Sequence, residues 1–369
     1  MERNRETATF DTRLPLDSGA SLDGFEITYE TYGKLSAARD NAILLCHALT
    51  GSARAAGAPE GDQPAGWWDA AIGPGEAFDT DRFFVVCSNV LGGCAGSTGP
   101  GSDDPASGRP FGLRFPFVTI GDMVSAQALL ADHLEIDRLH TVAGGCMGGL
   151  QVLEWMARFP ERLRNGVVIS ATPRTSTHTI GLWHVIRETL MRDPDFRGGD
   201  YYDAGPPLLG QRLIAMFGLM VWMSPTVMSE RFGRRLVDAK RPRFTLEPEF
   251  EVEALLRRVG DNAGNRFDAN SLIYLTKAMD HFDLTRDGGD LAEVFAGFAG
   301  RALLLSYDSD WRYPPAKVDE IRVALERAGT EVEHRVLHSD YGHGAFMYDP
   351  EGAGAAIAEL LATGSTPGA

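Results

Sequence analysis

Little in this chain points to a covalent or metal-built scaffold. Its 369 residues hold four cysteines, Cys46, Cys87, Cys94 and Cys146. They form no C-x-x-C pair and no regular framework, which excludes a disulfide-stapled domain, and none has metal-ligand spacing with histidine. Long apolar runs are missing too: the best candidate, residues 213–223, falls short of the ~20 residues that span a bilayer. The polar start MERNRETATFDTRLPLDSG lacks the apolar stretch of a secretory signal, so a reducing cytoplasm is the expected compartment. Positive charge is scarce. A formal net charge of -16 argues against nucleic acid or an anionic membrane as partner. No glycine loop runs into Lys-Ser/Thr, so a nucleoside triphosphate is not expected. The stretch GGCMGG lacks the order of a dinucleotide fingerprint and its later acid. Repeats and low-complexity tracts are absent.

What remains is an ordinary globular composition, 44% hydrophobic and 23% charged, long enough for two domains or for one domain carrying an insertion. Strand-like and helix-like segments alternate at first. GFEITYETYG, NAILLCHAL and FFVVCSNVLG read as strands, the second apolar on both faces as buried parallel strands are. MVSAQALLADHL has helical spacing. LHTVAGGCMGGLQVLEWMARFP gives strand, turn and helix, and RNGVVISATP another strand. Strands separated by helices predict a parallel sheet with right-handed crossovers. From 174 to 299 the segments are helix-like without a clear strand. Strand texture then returns in GRALLLSYDSDW and EVEHRVLHSD, and a helix closes the chain. The expected architecture is an α/β fold: an α/β-hydrolase core over 1–173 and 300–369, a mostly parallel sheet flanked by helices, with a helical lid inserted over 174–299.

In that plan a nucleophile stands on a tight strand-to-helix turn, and an acid and a histidine follow at later strand ends. Cys146 occupies the turn, flanked by Gly144, Gly145, Gly148 and Gly149, and these glycines are expected to leave it exposed. The resumed strands end in Asp308 and Asp310, then in His338 and His343. The order Cys146, Asp310, His343 supplies a triad, with Asp308 and His338 as rim residues. Backbone N–H groups of Met147, at a helix N-terminus, and Leu49, in the loop CHALTGSA, are the expected oxyanion donors. A thiol beside a histidine and a helix N-terminus ionises at lowered pH. An acyl-cysteine keeps transfer potential for a hydroxyl or an amine.

The blocks YETYGKL, NAILLCHALTG, GWWDAAIGPGEAFDTDRFFVVCSNVLGGCAGSTGP, FPFVTIGDMVSAQ, GGCMGGLQVLEW, RFDANSLIYLTKAMDHFD, SDWRYPP and YGHGAF together resemble the homoserine O-acetyltransferase family, over nearly the whole chain. The resemblance implies ping-pong acyl transfer from an acyl-CoA as co-substrate, no permanently bound cofactor, a small-molecule acceptor, and a homodimer formed through the lid helices. It carries the triad roles onto Cys146, Asp310 and His343. Three departures stand out. The family nucleophile is usually serine. The family's substrate-holding arginine and tyrosine in the lid are replaced by Ala215 and Trp222, with Arg212 one turn before Ala215 as a candidate substitute. The acid that follows the triad histidine is replaced by Gly344. A zwitterionic acceptor needs charged partners. The sequence therefore favours an acyltransferase with an acceptor other than homoserine. A thioesterase or hydrolase on the same triad, homoserine acetylation itself, and a non-catalytic binding protein remain the alternatives.

Overall fold

The computed structural model describes residues 1–61, 64–238, 240–264 and 267–363. Eight strands form one sheet: β1 (Arg3–Pro15), β2 (Ser21–Tyr32), β3 (Ala42–Cys46), β4 (Phe84–Ser88), β5 (Leu139–Gly145), β6 (Leu163–Ile169), β7 (Arg301–Tyr307) and β8 (Glu331–Leu337). Their spatial order is β1-β2-β4-β3-β5-β6-β7-β8. From β4 to β8 every pairing is parallel, while β1–β2 and β2–β4 are antiparallel. The central strands carry the apolar signature that a sheet covered on both faces requires: every residue of β3 and of β5 is buried. β1 shows no such signature. Its RNRETATFDTRLP is mostly exposed, with only the thin alternation of Ala8, Phe10 and Leu14 among polar residues. Pairing along β2 makes it a strand.

Two helices precede β6. α1 (Ile120–His133) starts at a capping box, Thr119 accepting from the Asp122 N–H and Asp122 accepting from the Thr119 N–H, which satisfies two orphan donors. α2 (Met147–Arg158) packs on β5, β6 and β3. Between β6 and β7 run α3 (Thr177–Met191), α4 (Leu208–Trp222), α5 (Pro225–Phe232), α6 (Glu251–Asp261) and α7 (Ala269–Asp280). After β7 come α8 (Pro315–Arg327), against β7 and β8, and α9 (Glu351–Thr363), against β7. The run that reads as one long helix breaks at Met223–Ser224 and bends by 104°. Ser224 caps α5 and Pro225 is its first residue, a position that tolerates proline because its N–H would be unpaired. Among the described residues no single helix is long and apolar enough to cross a membrane.

α7 is nearly all buried, tied to α3 by the enclosed Arg187–Asp280 pair at 2.6 Å and to the core by the Tyr274 hydroxyl, which donates to the Phe115 carbonyl at 2.5 Å. α4 is different. Only Gly210 and Val221 of its fifteen residues are buried, and Leu209, Leu213, Phe217 and Met220 stand exposed at helical spacing along one face.

The glycines of the turn do not expose Cys146; they let backbone approach backbone. An ideal Cβ on Gly148 would lie 2.0 Å from the Cys46 carbonyl oxygen, and one on Gly145 2.8 Å from the Phe346 ring. Cys146 is consequently 1% exposed, against the expectation of an open thiol. Gly148→Ala should therefore destabilise the fold by about 3 kcal/mol. Gly181→Ala, on α3 with nothing within 4 Å, should stabilise it by about 0.5–1 kcal/mol. Denaturant unfolding of the two variants checks both signs.

Candidate active site

β5 runs straight into Cys146, whose backbone sits at φ 56°, ψ -122°, a region that costs a non-glycine residue about 1–3 kcal/mol. The Cys146 N–H donates to the Ile169 carbonyl at the end of β6, at 3.1 Å, and α2 begins at the next residue. The thiol thus stands at the N-terminus of a helix, above the carboxyl ends of the parallel strands.

The other two groups arrive from the ends of β7 and β8. Asp310 is buried, and its Oδ1 accepts from the Arg312 and Tyr313 N–H groups at 2.9 and 3.0 Å. Its Oδ2 accepts from His343 Nδ1 at 2.8 Å. That bond fixes the tautomer, leaving Nε2 buried and without a hydrogen-bond partner, close enough to the Cys146 sulfur for each group to set the other's ionisation. The Ser309 hydroxyl ties the two loops together, donating to the Ser339 carbonyl and accepting from the Gly342 N–H.

Burial works against a charged Cys146, but the positive charge of His343, that of Arg312 and the Met147 N–H outweigh it and bring the thiol down to about 7. Burial likewise opposes a charged His343, and the carboxylate of Asp310 and the sulfur carry it up to about 9. Asp310 is held below the usual carboxylate range: burial pushes it up, and the His343 charge more than reverses that. At neutral pH the arrangement favours a thiolate beside an imidazolium.

The second acid and histidine of the sequence form a pair of their own. His338 Nδ1 meets Asp308 Oδ2 at 2.6 Å, with side chains 80% and 46% exposed. It is a surface ion pair outside the pocket, in keeping with a rim position.

Of the expected oxyanion donors, Met147 is the first residue of α2, and its N–H helps to lower the pKa of the Cys146 thiol. Leu49 is buried in the loop after β3, beside the first turn of α2, where Gly148 approaches the Cys46 and His47 carbonyls. Trp222, half-buried, sets its ring edge-on to His343 with centroids 5.6 Å apart. A Cβ on Gly344 would lie 2.8 Å from the Tyr348 ring and 3.1 Å from Trp222, so aromatic carbon fills the space a longer side chain there would need. Ala215 and Arg212 lie earlier on α4, roughly 10 and 15 Å along the helix from Trp222 at 1.5 Å per residue. Arg212 is exposed, and the structure does not bring it to Cys146 as a substitute for a lid arginine.

One group escaped the sequence reading. Arg312 is 6% exposed, its guanidinium lying 4.8 Å over the Trp183 ring of α3 and 5.2 Å from the Tyr313 ring. Its Nε and Nη2 have no acceptor, and neither does the Trp183 indole N–H. The same charge reaches Cys146, Asp310 and His343. Only its place two residues after Asp310 could have flagged it.

The thiol's ionisation is directly measurable. Iodoacetamide alkylation of Cys146 should rise with pH around an apparent value of about 7, because a lowered thiol pKa keeps the reactive thiolate present down to that pH. In His343→Ala burial persists while the countercharge is lost, so the midpoint should move up by about one pH unit or more. Alkylation followed by mass spectrometry across pH 5–10 reads both.

The model of the alpha/beta hydrolase fold family matches residues 41–350. The homoserine O-acetyltransferase of Methanosphaerula palustris is 47% identical over 343 residues, 93% of this chain and 70% of that protein. The homoserine O-succinyltransferase of Acidithiobacillus ferrooxidans is 45% identical over 345 residues, 93% and 90% of the two chains. Among solved structures, homoserine O-acetyltransferase from Bacillus anthracis superposes with a TM-score of 0.90 at 25% identity, covering 98% of each chain. Esterase E22 does so at 0.87 and 26% identity, covering 98% of this chain and 100% of that one. With a strand-to-helix nucleophile turn, a buried acid–histidine pair and this identity over most of its length, the chain belongs to the homoserine O-acetyltransferase family of the α/β-hydrolase fold.

Proposed function

We propose that the chain is an acyltransferase that loads an acyl group from an acyl-CoA onto Cys146 and passes it to the hydroxyl of homoserine. The observation that carries the mechanism is the buried Cys146–His343–Asp310 arrangement beside the Met147 N–H. The thiolate attacks the thioester carbonyl, a C–S bond forms, and the π pair moves to an oxyanion held by the Met147 and Leu49 N–H groups. Collapse expels the CoA thiolate, which takes the proton from His343. Neutral His343 then accepts the acceptor's hydroxyl proton as the oxygen attacks the acyl-cysteine. The second collapse returns the thiolate–imidazolium pair. Asp310 holds the imidazole in register throughout. Replacing one thioester by another makes the first half nearly isoenergetic.

The homoserine O-acyltransferase relatives support homoserine as acceptor, above the non-homoserine acceptor that the sequence favours. For the donor, the buried Arg312 guanidinium with two unpaired nitrogens suits a carboxylate, and a succinyl group, as in the Acidithiobacillus relative's name, presents one. A second reading keeps the chemistry and changes the acceptor. It is supported by the Trp222 and Tyr348 rings at Gly344 and by Ala215, which leave no charged partner there for a zwitterion.

Incubation with succinyl-CoA should add one acyl group to the intact protein and none to Cys146→Ala. Homoserine should discharge it faster than water; discharge at the same rate in water alone identifies a hydrolase. Steady-state turnover with homoserine against larger or less charged alcohols and amines separates the two acceptor readings. Arg312→Leu should lower turnover with both donors, because the guanidinium charge favours the thiolate, and should lower succinyl-CoA turnover by about 30-fold or more beyond the loss with acetyl-CoA, the cost of an unpaired buried carboxylate.

The exposed apolar face of α4 supports a homodimer through the lid, because a monomer rarely leaves such a stripe in water. Leu213→Asp with Phe217→Asp should convert a dimeric mass in light scattering to a monomeric one, whereas a monomeric unsubstituted protein overturns the dimer.

A further inference from the structure

Two buried amides lie under the catalytic turn, outside the acid–base machinery. Trp155 Nε1 can only donate, and Gln127 Oε1 accepts from it at 2.9 Å. The Gln127 amide nitrogen therefore faces Gln151 Oε1, at 2.7 Å. That leaves Gln151 Nε2 aimed at two backbone carbonyls, Met147 at 3.3 Å and His47 at 3.4 Å. One carbonyl belongs to the first residue of α2. The other begins the loop that carries Leu49. Gln151 is 0% exposed, so no water competes for these bonds.

The far side of that loop is held as well. His47 Nδ1 donates to the Ala48 carbonyl at 2.7 Å, while Nε2 accepts from the Val90 N–H at 3.1 Å and from Asn89 Nδ2 at 3.2 Å. An imidazole with an accepting nitrogen must be neutral, and burial keeps it so by pulling His47 down to about 4.

We infer that Gln151 is a positioning residue: by gripping the Met147 and His47 carbonyls on one amide, it sets the separation of the Met147 and Leu49 N–H groups. Asn89, through His47, anchors the same loop from the opposite side. The inference rests on the acyl-transfer reading, in which those two N–H groups receive the oxyanion.

Two reactions of Cys146 separate this role from a general loss of structure. Alkylation by iodoacetamide displaces iodide at carbon and creates no oxyanion. Acylation by an acyl-CoA, and addition to a trifluoromethyl ketone, both place negative charge on oxygen. Gln151→Met keeps the volume and removes the amide. Its alkylation rate should match that of the unsubstituted protein, while its acylation rate and ketone affinity fall by about 10- to 100-fold, the scale of losing or misplacing one oxyanion donor. Asn89→Ala, which spares α2, should show the same split. Equal losses in both reactions, or undiminished acylation in both variants, overturn the assignment. An unsubstituted protein that is alkylated yet takes up neither acyl group nor ketone overturns the acyl-transfer reading, and this inference with it.

Discussion

The first turn of α2 lies so close to the end of β3 that residue 148 has no room for a Cβ: it would meet the Cys46 carbonyl oxygen at 2.0 Å. Much else follows from that approach. It brings the loop carrying Leu49 alongside the turn carrying Cys146, so that two backbone segments far apart in sequence share one small volume. At the same turn Cys146 holds a left-handed backbone conformation, φ 56°, which the surrounding sheet must sustain. Gly144 and Gly149 serve the same closeness, against the Cys46 carbonyl and the Ala171 side chain. The glycine-rich turn is a packing device, and its product is a thiol nearly sealed from water.

Sealing decides the electrostatics. Two aspartate–histidine pairs stand at the ends of the same two strands. Asp308–His338 is open to solvent, where an ion pair contributes little. Asp310–His343 has no exposed side-chain surface, so each charge there acts through protein and not through water. Isolated, the buried thiol would resist ionisation. Beside a histidine that Asp310 holds protonated, and with the Arg312 charge near, it ionises more readily than an ordinary thiol. Asp310, His343 and Cys146 are chemically ordinary residues, and their common burial is what couples them.

The same closure sets what surrounds the histidine. Trp222 ends α4 against His343, and the chain then breaks at Met223–Ser224. The Ser224 hydroxyl is tied to the Asp340 carbonyl, and a Cβ on Gly342 would lie 3.0 Å from the Trp222 carbonyl oxygen. The helical segment and the histidine loop are thus fastened at one point beside the catalytic groups. On one side of that point aromatic rings occupy the space beside Gly344; on the other the Arg312 guanidinium, with Nε and Nη2 unpaired, lies over the Trp183 ring. Charge therefore lies on one side of the buried histidine and aromatic carbon on the other.

Composition and pattern alone carried the α/β plan, the strand–turn–helix around Cys146 and the chain order of nucleophile, acid and histidine. These depend on local periodicity and on residue types that no neighbour can change. β1 was not read from the sequence, because the alternation of Ala8, Phe10 and Leu14 in RNRETATFDTRLP is thin and charged residues surround it, and it becomes a strand by pairing with β2. Asp308 and Asp310, two residues apart, are chemically alike in the sequence; the triad order and the family resemblance favoured Asp310, and its burial beside His343 agrees with that choice. The sequence suggested an exposed Cys146, because glycine marks a turn and says nothing of what fills the space around it. Arg312 and Gln151 were invisible for the same reason: one reads as a loop arginine and the other as a helix glutamine. Their significance is set by partners that are present or missing across 24 and 129 residues of chain, from Gln127 to Gln151 and from Trp183 to Arg312, and only the folded packing brings those partners together.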